Sequence, residues 1–170
     1  MKIPPYETFP QMFTDQIVLR EVQSSDIKDI VEISFYDAQP AFTAEKATEI
    51  QNRIDQDYQK GSSIHWGIAD GQTNAIMGTL GFYRGFDKGI GELGCVLKRE
   101  FHGRGFMTTA MKLVIEFGFY EMGLIKIIAI TTKQNSNAVK LLRRLDFIEV
   151  SNLQEDKIEY QFVNKILANQ

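Results

Sequence analysis

Among 170 residues there are four prolines, two histidines and one cysteine, and each scarcity excludes something. Cys95 has no partner for an intramolecular disulfide, which argues against a small secreted fold held by staples. His65 and His102 have no matching carboxylate spacing and do not make a metal site. Nowhere is there a run of about 18 apolar residues, so nothing reads as a bilayer-spanning helix. The opening Met1-Lys2-Ile3-Pro4-Pro5 lacks the apolar stretch of a signal peptide, and the expected location is the cytoplasm. A net charge of −3 gives no electrostatic reason to expect nucleic acid or an anionic membrane as partner.

What is present reads as globular: 44% hydrophobic and 24% charged residues, in a length suited to a single domain over 1–170. After an irregular lead-in over residues 1–14, Gln16 to Val22 alternates as a strand, with Ile17 and Leu19 on one side and Val18 and Arg20 on the other. Ser24 or Ser25 is placed to cap a short helix with Ile27, Ile30, Val31 and Ser34 on one face, and Thr43 opens a second, polar helix ending near Gly61. Ile64 to Ala69, Ala75 to Tyr83 and Gly91 to Lys98 read as an antiparallel meander. The period then becomes helical through Phe106, Ala110, Met111, Val114 and Phe117, stopping at Gly123. Lys126 to Thr131 is a strand, and Asn135 or Ser136 caps a helix carrying Ala138, Leu141, Leu142 and Leu145. Phe147 to Val150 and Ile158 to Val163 close the chain as strands. The pattern implies a mixed sheet flanked by helices, an α/β or α+β domain.

The informative segment is the entry to the helix at Phe106. A strand runs into Gly103-Arg104-Gly105, and that loop runs directly into an amphipathic helix. The first helical turn has unpaired N–H groups and a partial positive charge, which attract phosphate. Glycines let the backbone approach the anion. Arg104 adds a charge, and Thr108 or Thr109 adds a hydroxyl. A Walker loop is excluded because Phe106-Met107 follows the last glycine, and a dinucleotide fingerprint is excluded because position 108 is threonine.

Phe101-His-Gly-Arg-Gly-Phe-Met-Thr-Thr-Ala110 resembles the pyrophosphate loop of the GNAT acetyltransferases, closest to the Rim-type branch that acetylates N-termini of ribosomal proteins. Thr14 to Arg20, Trp66 to Ala69, Ile76-Met-Gly78 and Gly91-Glu-Leu-Gly94 are similar to that branch's successive strands. Asn135, Leu141-Leu142 and Leu145-Asp-Phe147 resemble its late segment, so the resemblance covers nearly the whole chain. It implies a mostly antiparallel sheet that splays after the fourth strand, here Gly91 to Lys98, with acetyl-CoA as cosubstrate. Pantetheine would pair with the backbone of Val96 and Leu97, and the pyrophosphate with the loop His102, Gly103, Arg104, Gly105, Phe106, Met107 and Thr108. Asn135 occupies the position of an Asn that holds the pantetheine arm, and it can equally be the helix N-cap.

Glu92 resembles the Glu that serves as general base through water in histone-type members, and a free N–H near Val96 or Leu97 would be the oxyanion donor. Cys95 falls on the opposite face from Glu92 and Val96 and reads as a small core residue. Tyr83 and Tyr120 are pocket candidates. Four departures stand out. Glu100 replaces the loop's leading Gln or Arg, and Ala138 replaces a Ser. Leu142 lies where other branches have a Tyr general acid, and Asp146 replaces a late Gly.

The expected activity is acetyl transfer from acetyl-CoA to a primary amine by direct attack, most naturally the N-terminal α-amine of a peptide or protein. Two alternatives stand beside it: acetylation of a small-molecule amine, and a catalytically silent acyl-CoA-binding sensor, which Ala138 and Leu142 keep open. Neither nucleic acid nor membrane is an expected partner, and a homodimer through an edge strand is compatible with the sheet.

Overall fold

A computed structural model describes residues 1–162 of the chain. Its frame is an eight-stranded sheet in the order β1-β2-β5-β6-β7-β8-β10-β9. The strands are β1 (Met12–Phe13), β2 (Ile17–Arg20), β5 (Ile64–Asp70), β6 (Ile76–Tyr83), β7 (Ile90–Leu97), β8 (Lys126–Thr132), β9 (Phe147–Asn152) and β10 (Lys157–Phe162). A separate small hairpin is formed by β3 (Phe35–Tyr36) and β4 (Gln39–Pro40). Every pairing in the large sheet is antiparallel except β7 with β8. Val163, the expected end of the last strand, lies outside the described residues.

Helices cover both faces. Helix α1 (Ala44–Gln59) is capped by Thr43, whose side chain accepts from the amide of Lys46, and it buries Ala47, Ile50 and Ile54. These pack with Val22, Ile27, Ile30 and Ile76 into a core on one face. The opposite face is covered by α2 (Phe106–Glu116), which continues as a π-helical turn over Phe117–Met122 and stops at Gly123 in the left-handed conformation. There Trp66, Leu80, Phe82 and Leu93 meet Ala110, Met111 and Val114 in a larger core. Each fully buried Leu, Ile or Phe in such a core contributes roughly 1.5–3 kcal/mol. Helix α3 (Ser136–Arg144) follows β8 and ends in Arg143 and Arg144, which complement the negative end of its dipole.

Two expectations needed correction. The helix expected from Ser24 is two 3-10 segments, Ser24–Asp29 and Val31–Ile33, and neither serine caps it. Gln23 is the cap, because the Asp26 carboxylate turns back to accept from the Gln23 amide at 2.7 Å and from Arg20 at 2.7 and 3.0 Å. The lead-in also contains a strand: Met12 and Phe13 pair with Leu19 and Val18. Among the described residues no helix is long and apolar enough to cross a membrane.

Candidate active site

The sheet opens where the sequence resemblance implied. β7 pairs with β6 along its length, from Tyr83↔Glu92 to Gly78↔Leu97. Its pairing with β8 runs only from Ile90↔Lys126 to Glu92↔Ile128. β8 continues with β10 as far as Thr132↔Lys157, so it leaves β7 at Glu92. From Leu93 to Leu97 one edge of β7 is therefore free of a strand partner, and its backbone groups are available to a ligand.

Two cavities meet at this opening. The smaller, of about 460 Å³, lies between β7, the start of α2 and α3. Of the residues expected to bind the cofactor, Val96, Leu97, His102, Gly103, Gly105, Phe106, Met107, Thr108 and Asn135 line it. Arg104 does not: its guanidinium lies 4.8 Å from the centre of the Phe106 ring, stacked outside the groove. Gly103 and Gly105 have φ of +75° and +83°, and an added Cβ would meet nothing within 4 Å at either. Glycine is required there by backbone conformation and not by crowding. Gly105 brings no side-chain cap to α2, whereas Thr43 and Asn135 cap the other two helices, so the first N–H groups of α2 face the groove without partners.

The histidine of the loop has a local task. Nε2 of His102 donates to the carbonyl oxygen of Leu97 at 2.8 Å, tying the loop back onto β7. Asn135 does cap α3, accepting from the Ala138 amide at 3.2 Å, and it also lines both cavities. Lys140 and Arg144 were not singled out from the sequence, yet both line the groove, and Arg144 donates to the Thr108 hydroxyl at 3.4 Å. Their spacing of four residues, which puts both on one helical face, was the available signal.

The larger cavity, of about 800 Å³, lies on the α1 side of the sheet. Its wall includes Tyr36, Asp37, Asp57, His65, Thr79 and Tyr83, none adjacent to another in sequence except the first two. Tyr36 donates to Asp57 at 2.7 Å, and the Arg53 guanidinium lies 4.1 Å from its ring centre. The Tyr83 ring lies over Gly94, where a Cβ would come within 3.0 Å of it. Burial drives the Tyr83 hydroxyl far above its ordinary range. Tyr120, the other tyrosine candidate, is 65% exposed and lines neither cavity, because the π turn points it outward.

Glu92 sits at the last paired position of β7, ion-paired with Arg84. Burial pushes its carboxyl up, and Glu159 adds to this while Arg84 opposes it. Arg84 and Tyr83 line the large cavity; Glu92, ion-paired with Arg84, does not. Cys95 does face the α2 side, with Sγ 4.0 Å from Sδ of Met111, and burial of that thiol pushes it up to about 12. The core position expected for it needs correction, because the residue as a whole is exposed along the open edge left by β8. Among the described residues no cluster of His, Cys, Asp or Glu could hold a metal ion.

Cys95, Val96 and Asn135 line both cavities. The two cavities therefore adjoin, and a ligand extended through the smaller would reach the mouth of the larger. A direct transfer between two bound molecules fits this arrangement. Comparisons with known proteins identify the family. The uncharacterized N-acetyltransferase YoaA of Bacillus subtilis is 27% identical over 147 residues, covering 82% of this chain and 83% of that protein. A putative ribosomal-protein-serine acetyltransferase from Vibrio cholerae has a similar structure, with a TM-score of 0.79, 17% identity and coverage of 96% and 100% of the two chains. A dodecameric spermidine N-acetyltransferase from the same organism gives 0.75, 19%, 92% and 98%. Residues 16–148 match the acetyltransferase (GNAT) domain, and the chain belongs to that family of acetyl-CoA-dependent acetyltransferases.

Proposed function

We propose that this acetyltransferase is of the Rim type, a single domain over 1–170, and that it acetylates the N-terminal α-amine of a peptide or protein by direct attack in a ternary complex. The observation that carries the proposal is the junction of the two cavities at Cys95, Val96 and Asn135, with a raised thiol and no activated nucleophile between them. Acetyl-CoA supplies the thioester. The loop from His102 to Thr108, with the bare first turn of α2, holds its pyrophosphate, and the free edge at Val96 and Leu97 holds the pantetheine. An amide on that edge polarises the carbonyl. Glu92, its carboxyl raised by burial, takes the amine's proton through a bridging water, since it does not itself line the cavity.

The acceptor follows from the proton economy of the site. Glu92 reaches the amine only through a water, so the site suits an amine that is already partly neutral. An α-amine of pKa about 7.8 is roughly a tenth neutral at pH 7, whereas a lysine-like amine of about 10.4 is neutral below about 0.1%. A polyamine is the second reading, favoured by the carboxylates of Asp37 and Asp57 in the cavity wall.

Calorimetric titration of acetyl-CoA followed by turnover assays on Ala- and Ser-initiated peptides, lysine peptides and spermidine tests this. Saturable binding and preference for the α-amine are expected. Binding without turnover on any amine would favour a silent sensor, and absence of binding would end the enzyme reading. In the same assay Glu92→Gln should lower kcat/KM by about 10²–10⁴ with the acetyl-CoA Kd unchanged.

A further inference from the structure

His65 is a buried titratable side chain that this chemistry leaves unused. It lies on β5 opposite Gly81, is only 9% exposed, and lines the larger cavity with its ring centre 5.7 Å from that of Tyr83. Its Nδ1 is buried and has no hydrogen-bond partner. Three other polar groups of the same wall are already committed. The Ser34 hydroxyl donates to the carbonyl of Ile30, Ser63 to that of Ile54, and Tyr36 to Asp57. Burial lowers the His65 pKa to about 4, so the ring is neutral at physiological pH.

A neutral imidazole carries one N–H and one lone pair, and the partner of each nitrogen decides which is which. A dry Nδ1 without a partner bears the lone pair at less cost than a proton, because orphaned buried donors are the rarer and costlier case. The proton therefore resides on Nε2, at the distal tip of the ring, the nitrogen left for the cavity. A donor in this wall calls for an oxygen acceptor on the substrate. A polyamine at neutral pH offers almost only N–H donors. A peptide N-terminus offers a carbonyl oxygen three bonds from the reacting nitrogen.

Resting on the α-amine reading above, we infer that His65 is a specificity-determining residue whose Nε2–H donates to the first carbonyl oxygen of a peptide acceptor and so selects peptide α-amines over polyamines. Sites built to hydrogen-bond a substrate group discriminate strongly against analogues that lack it.

With two histidines in the chain, ¹⁵N-histidine NMR resolves the question, and His102, whose Nε2 is bound to Leu97, serves as internal reference. The free protein should show His65 protonated on Nε2 and bare on Nδ1. An Ala-initiated tripeptide should move the Nε2 signal and spermidine should not. A proton on Nδ1 while peptides are still acetylated would overturn this inference alone, as would spermidine moving the signal as the peptide does. Absence of acetyl transfer to any peptide amine would overturn the α-amine reading and this inference with it. In kinetics, His65→Phe should raise the peptide KM by about 10²-fold with kcat and the acetyl-CoA Kd little changed, and His65→Gln, which restores an N–H near Nε2, should recover most of it. An unchanged KM in His65→Phe, or no recovery in His65→Gln, would refute it.

Discussion

The cofactor groove and the acceptor cavity share Cys95, Val96 and Asn135 but are built from different material. The groove is largely backbone: a strand edge abandoned by β8, two glycines at positive φ, and the uncapped first turn of α2. The cavity is side chains, drawn from the β3–β4 hairpin, α1, β5, β6 and β7. On the proposed reading, backbone donors would bind the pyrophosphate, and side chains would bind the acceptor. One region is thus sensitive to any added Cβ and the other to the chemistry of individual groups.

That contrast is most easily broken at Gly105. With φ of +83° and open space around it, a substitution there is resisted by conformation alone. Gly105→Val forces a β-branched residue out of the left-handed region at about 1–2 kcal/mol or more. It also withdraws amide donors whose charge-assisted bonds are worth roughly 1.5–3 kcal/mol each. The acetyl-CoA Kd should rise by about 10³-fold, near 4 kcal/mol, by calorimetry. An unchanged Kd would mean that the groove does not bind through its backbone.

The same division explains what could be read from the sequence. The helix-entry loop was legible because Gly103, Gly105 and the helical period after Phe106 are contiguous, and the splayed sheet was expected only through the family resemblance that this segment carries. Asn135 was legible as the cap of α3. Arg104 stacks on Phe106 and does not line the groove, an arrangement that adjacency to a glycine loop in sequence does not show. Tyr36, Asp57 and Thr79 could not be found, because tertiary structure brings them together from positions with no common spacing. His65 was noticed only as one of two isolated histidines. Its burial, not its neighbours in sequence, gives it interest.

That burial has a consequence for stability that can be measured without any ligand. The folded-state pKa of His65 is lowered from 6.5 to about 4. Above pH 6.5 the imidazole is neutral folded and unfolded, and pH has no leverage through it. As pH falls from 6.5 toward 4 the unfolded chain takes up a proton that the folded chain refuses, so stability declines. The full decline is about 3 kcal/mol, from a shift of some 2.5 units at 1.36 kcal/mol each. Urea titrations of the wild type at pH 7 and pH 4.5 should show a loss that His65→Gln largely escapes, the carboxylates being common to both. Equal losses in the two proteins would mean that His65 is solvated, and the cavity wall would then lack its neutral donor.

The smallest effect sharpens the comparison from outside both cavities. Asp146 also occupies the left-handed region, at φ +62°, just after α3, with its amide donating to the carbonyl of Arg143 at 3.1 Å. This is the position where helices commonly end in glycine. Asp146→Gly relieves about 1–2 kcal/mol of left-handed strain, less for Asp than for bulkier residues. It returns about 0.4–1 kcal/mol to the unfolded chain as added freedom. The net gain should be about 0.5–1 kcal/mol, a rise of roughly 1–4 °C in Tm for a chain of this size. Acetyl-CoA affinity should not move, because Asp146 lines neither cavity. Positive φ at Gly105 and at Asp146 is the same backbone state used for different ends. At Gly105 it aims amides into a groove, and at Asp146 it only turns the chain from α3 into β9. A Kd that shifted with Asp146→Gly would mean that the seating of α3, with Lys140 and Arg144, is tuned from its far end, and that the groove is less purely backbone than its first turn suggests.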